Sequence, residues 1–186
     1  MISGLAEKFP RSRILSGADY QNNDHESAFP VDWVPGAFTA IRREMLEQIG
    51  FFDERYFLYY EETDLCLRAR RQGWTIQFLP EAVVHHTGGG SSRKVTSETF
   101  DEAGSQIRPF RLRSECLYHR KNRGLIALLS TMGFEWGWHR LRACIHSFKR
   151  SESSRLKREH STQLAREIER ALADTSLGRI SPTRPW

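Results

Sequence analysis

The chain has 186 residues, 39% of them hydrophobic and 27% charged, a balance that fits a globular protein with a real core and excludes a disordered or fibrous chain. No apolar run approaches the roughly 18–20 residues of a membrane span, and the start, Met-Ile-Ser-Gly-Leu-Ala-Glu-Lys, has no secretory pattern, so the expectation is neither an integral membrane protein nor a secreted mini-protein. Charge is unevenly placed: residues 1–106 carry 11 basic and 16 acidic side chains and residues 107–186 carry 17 and 7, so the back half reads as a surface for nucleic acid, an anionic membrane or plain solvent.

Residues 1–30, rich in Ser, Gly, Asn and Asp, are expected to be a loop or leader. Residues 31–41 (VDWVPGAFTAI) predict a strand interrupted at Pro35-Gly36, where a proline fits an edge or bulge. Arg42 to Ile49 predicts a short helix stopped by Gly50. A turn leads into the aromatic run Tyr56-Phe57-Leu58-Tyr59-Tyr60. Glu61 or Glu62 through Gln72 predicts a second helix, with acids in the first turn, Arg68, Arg70 and Arg71 near the end, and Gly73 as the stop. Trp74 to Leu79 alternates as a half-buried strand ended by Pro80. Ala82 to His86 is another short extended piece before the glycine-rich loop at 88–92, and 93–106 is a polar connector. From about Ile107 to Leu177 the pattern is helical and basic, and the last ten residues form a tail. Cys66, Cys116 and Cys144 are odd in number and widely spaced, with no CxxC pair; reduced thiols are the plain expectation.

Five groups of residues carry possible chemistry. Glu61, Glu62 and Asp64 lie together at a helix start. Glu61 and Asp64 share a face, and Arg68 is one turn beyond Asp64, so one carboxylate can be held by arginine while another is left as a general base; acids simply capping a helix are the alternative. His85-His86 ends an extended piece, where adjacent side chains point to opposite sides; one of them facing a metal or diphosphate, or both on the surface, fits equally. Gly88-Gly89-Gly90-Ser91-Ser92-Arg93-Lys94 has the amides, hydroxyls and cations of a phosphate cradle. The aromatic run, with Trp33 and Trp74, offers faces for sugar stacking or for a core. Finally, Trp136 and Trp138 among Arg140, Arg142, Lys149 and Arg150 fit an anionic membrane surface as well as core packing.

In order and spacing, VDWVPGAFTAIRRE, IGFFDERYFLYYEETDLCLR and GWTIQFLPEAVVHHTGGGSS, from Val31 to Ser92, resemble family 2 glycosyltransferases, most closely the bacterial rhamnosyltransferase-like group. Tyr118 to Gly124 is similar, more loosely, to that family's C-terminal region. The resemblance implies an α/β fold: the C-terminal half of a GT-A domain, acceptor-side, over 31–104, followed by a basic helical region over 105–186. It implies inverting transfer from a nucleotide-diphosphate sugar to an acceptor hydroxyl, a glycan or lipid-linked, in cell-surface polysaccharide synthesis. Glu62 takes the place of the base, with Glu61, Asp64 and Arg68 beside it as catalytic residues. Trp33, Gly36, Ala37 and Tyr60 fall at the substrate site, and His86 at the ligand of an Mg²⁺ or Mn²⁺ ion. No DxD occurs in the chain, so it is expected to lack the donor-binding half, as a fragment, a truncated gene or one piece of a split enzyme with an N-terminal partner half. The implied location is cytoplasmic, peripheral on the inner face of the membrane, and no nucleic-acid reader pattern is present. A non-catalytic membrane- or partner-docking module derived from such an enzyme is the other reading.

Overall fold

The computed structural model describes residues 24–86 and 100–183. The elements are β1 (Phe29–Val31), α1 (Arg43–Ile49), α2 (Glu61–Arg71), β2 (Ile76–Phe78), α3 (Phe100–Ser147) and α4 (Glu152–Asp174). The described residues are mainly helical, with one two-stranded sheet, so the α/β expectation holds here only as a small antiparallel ribbon pairing Phe29 with Phe78 and Val31 with Ile76. The strand expected over 31–41 stops at Val31, because Pro35 and Gly36 turn the chain. The leader, the glycine-rich loop and most of the connector lie outside the described residues.

The segment after β1 lies along α2 with a regular register. Asp32 pairs with Arg70, the Val34 backbone hydrogen-bonds Cys66, and Gly36 stands over Glu62, where an added Cβ would lie 3.9 Å from the Glu62 Cβ. Two residues of extended chain advance about 6.6 Å and four residues of helix about 6 Å, so the two elements stay in step over three contacts.

The helical region expected over 107–177 is three helical segments, two of them within α3. α3 breaks at Gly124, whose φ of 86° and ψ of 178° lie outside the helical region and suit glycine alone. α4 begins on Ser151, whose side chain accepts from the Ser154 amide. α3 and α4 enclose the main core of Leu112, Cys116, Leu128, Met132, Ile168 and Ala171. The expected tail is anchored: Gly178, at φ +72°, packs against the Cys116 carbonyl and Arg120, and the Ser181 hydroxyl donates to the Arg55 carbonyl at 2.8 Å. A second cluster, Tyr56, Leu117 and Tyr118 with Tyr60 and Leu67, joins α3 to the front of the molecule.

Candidate active site

The site starts from the backbone. Tyr59 and Tyr60 both have positive φ, 67° and 69°, a conformation that L residues adopt at a cost and that concentrates at functional sites. Tyr60 is the residue before the first turn of α2, so the strain sets the entry of the acidic pair. Glu61 and Glu62 are half-buried, and each has one carboxylate oxygen enclosed without a hydrogen-bond partner. Buried acceptors are ordinarily satisfied, so these two adjacent oxygens are free to accept from a group that donates. Burial, aided by the neighbouring Glu61 charge, raises the Glu62 carboxyl above its ordinary range. That moves it toward the poise of a general base near neutrality.

Asp64 has the opposite character. It is fully buried and both oxygens are occupied. Oδ1 accepts from the Tyr56 hydroxyl at 3.2 Å and the Asn122 amide at 2.9 Å; Oδ2 accepts from Arg68 Nε at 2.8 Å and Lys121 Nζ at 2.7 Å. Burial works against its charge, but the bonds from Lys121, Asn122 and Arg68 outweigh it and hold the carboxyl below the usual carboxylate range. Arg68 extends from Asp64 to the carbonyls of Ile49 and Phe51, clamping the end of α1. Lys121 also reaches Asp53 at 2.8 Å. Asp64 and Arg68 therefore hold the frame on which Glu61 and Glu62 stand.

Gly36 meets Glu62 directly, and Ala37 follows it in the same exposed turn. Trp33 is exposed, as is Phe38 on the far side of the turn. Tyr60 turns away from the open side: its ring packs on Tyr118 at 5.2 Å between centroids, and its hydroxyl bonds the buried Glu115. Trp74 donates to Gln48. His85 and His86 are exposed. Among the described residues no three His, Cys, Asp or Glu side chains gather to hold an ion. Lys121 and Asn122 lie in the segment Tyr118 to Gly124 that resembles the family's C-terminal region, and they are partners of Asp64 from 57 and 58 positions away, a role that the resemblance did not assign to them.

No solved structure matches the chain. A segment is 41% identical over 69 residues, 37% of this chain, to the N-acetylglucosaminyl-diphospho-decaprenol L-rhamnosyltransferase of Mycobacterium tuberculosis, covering 22% of that protein. The rhamnosyltransferase WbbL of Escherichia coli K12 is 33% identical over 70 residues, 38% of this chain and 26% of that protein. The dTDP-rhamnosyl transferase RfbF of Shigella flexneri is 30% identical over 84 residues, 45% of this chain and 28% of that protein. The matched part thus spans about a quarter of each relative's length. Residues 12–107, half of the chain, match the model of glycosyltransferase-like family 2, and the chain belongs to that family.

Proposed function

We propose that this chain supplies the acceptor-side part of an inverting rhamnosyltransferase, passing a sugar from a nucleotide-diphosphate donor to a hydroxyl of a lipid-linked glycan. The observation that carries this reading is the pair of enclosed, unpartnered carboxylate oxygens on Glu61 and Glu62, under a tight glycine turn and behind two strained tyrosines. A sugar hydroxyl is a weak nucleophile and needs a carboxylate in hydrogen-bond reach to take its proton. Glu62, with its raised affinity for a proton, fills that role, and Glu61 keeps a second acceptor beside it. Trp33 and the Gly36-Ala37 turn border the position where the acceptor would sit; Tyr60 acts through packing against Tyr118.

The names of the relatives point to dTDP-rhamnose as donor and to a polyprenyl-diphosphate-linked acceptor. Residues 31–104 are then the acceptor-side part of the catalytic domain and 105–186 its helical buttress, with donor-binding groups coming from another segment. Enzymes of this family generally work with a divalent cation. The described residues do not form a cage for one, so the assignment of His86 as an Mg²⁺ or Mn²⁺ ligand rests on motif position, and no step is derived through the ion. A lipid-linked acceptor would bring the reaction to a membrane surface, and the cytoplasmic, inner face belongs to this reading.

The test is transfer of labelled rhamnose from dTDP-rhamnose to polyprenyl-diphospho-N-acetylglucosamine by the chain complemented with, or fused to, a donor-binding segment. Glu62→Gln is expected to lower turnover by about 10²- to 10⁴-fold, the span of general-base catalysis, with acceptor binding retained. Undiminished turnover would remove Glu62 as the base.

A further inference from the structure

The second half of α3, beyond Gly124, is built inside out. At 3.6 residues per turn, Leu128, Met132, Glu135 and His139 share one face, and all four are buried. The opposite face carries Phe134, Trp138, Leu141, Ile145 and, just past the helix end, Phe148, at steps of four, three, four and three. All are exposed, Phe134 at 72% and Phe148 at 82%. Gly137 and Cys144 border this stripe on one side and Arg142 and Lys149 on the other. The helix thus turns a glutamate and a histidine inward and its aromatic side chains outward, the reverse of an ordinary surface helix. Contiguous apolar patches of this kind mark a docking face.

Charge identifies the occupant. Between Cys116 and Ser151 there are seven Lys and Arg and a single acid, Glu135, which is buried. Arg140 and Arg142 lie on the two flanks of Leu141, and Lys149 and Arg150 follow the stripe. A second copy of the chain would bring the same cations against them, whereas an anionic lipid surface brings the opposite sign. No helix among the described residues is long and apolar enough to cross a membrane, and aromatic side chains flanked by arginines fit the interfacial plane.

We propose that the outward face of α3, from Phe134 to Phe148, lies in the headgroup layer of an anionic bilayer, with Arg140, Arg142, Lys149 and Arg150 against lipid phosphates. This deepens the reading of a lipid-linked acceptor by naming the surface that meets the membrane, and its test contains no sugar donor, so the two fail separately. The chain is sedimented with vesicles of phosphatidylcholine alone and of phosphatidylcholine with phosphatidylglycerol, at low and high salt. Binding is expected to be about tenfold stronger with phosphatidylglycerol and to weaken with salt. Phe134→Ser combined with Phe148→Ser, which alters only exposed side chains, is expected to lower it at least about tenfold, with the circular dichroism unchanged. An environment-sensitive dye on the exposed Cys144 is expected to shift blue when phosphatidylglycerol vesicles are added. Failure to sediment with those vesicles, or binding indifferent to the double serine change, overturns the proposal. A blue shift without vesicles, from a dimer that the double change dissociates, overturns it too and gives the face to a second copy.

Discussion

Two acids two positions apart have opposite fates because of what surrounds them. Asp64 is buried among four donors, so its charge is a structural element; Glu62 is half-buried with one carboxylate oxygen that no donor reaches. Removing Asp64 leaves Lys121 with Asp53 as its remaining carboxylate and Arg68 with backbone carbonyls alone, and stripping partners from buried donors this way costs about 1–3 kcal/mol. Asp64→Ala is expected to lower the denaturation midpoint in urea accordingly. Because the folded Asp64 carboxyl lies below its ordinary value, its contribution is complete above the unfolded pKa of about 3.9 and is lost as pH falls through the folded value. The acid limb of the stability curve should therefore be shallower in Asp64→Asn than in the unchanged chain. Glu62 has the other sign. Its carboxyl is raised by burial, so carrying the charge at neutral pH works against folding. Glu62→Gln should leave Tm unchanged or slightly higher while transfer falls, the mark of a residue kept for function. The acid limb of the rate profile should lie above the ordinary glutamate range.

At the scale of elements, glycines and cysteines report the packing. An alanine at 178 would need a left-handed backbone and would bring its Cβ to 2.6 Å from the Arg120 Cβ and closer still to the Cys116 carbonyl. Gly178→Ala is expected to cost about 1–3 kcal/mol, read as a lower melting temperature, and to loosen the turn after α4 from α3. Cys66 and Cys116 are buried and Cys144 is exposed; burial pushes the Cys116 thiol up to about 12. A thiol reagent should therefore modify Cys144 first and reach the other two only with denaturant, since the thiolate is the reactive form. Helix existence was legible at this scale: α1 and α2 begin and end close to where their acids, arginines and glycines place them. The break in α3 was not, because Gly124 sits in a pattern that continues as helix on both sides.

Across the whole molecule, the acidic front and basic back found in the composition meet at a defined contact. Lys121 bridges Asp53 and Asp64, and Arg71 donates to Asn122. Tyr56 and Tyr60 pack with Leu117 and Tyr118. Part of the excess positive charge thus faces inward onto the site, and Arg108 and Arg113 pair with Glu167 and Asp174 of α4; the stretch bordering the apolar face of α3 keeps its cations outward. The acid pair, the glycine turn over it and the family they belong to were readable from residues 31–92, because each depends on near neighbours: helix-start acids, a Pro-Gly turn, an i,i+4 Asp-Arg pair. The distant half of the cage around Asp64, from Lys121 and Asn122, the inward turn of Tyr60 and the inverted helix face depend on residues more than fifty positions apart, or on which side of a helix meets a partner. Periodicity assigns a stripe to a helix and leaves its direction open; the packing of α4 against Leu128 and Met132 chose the side that is buried, and with it the side left to solvent.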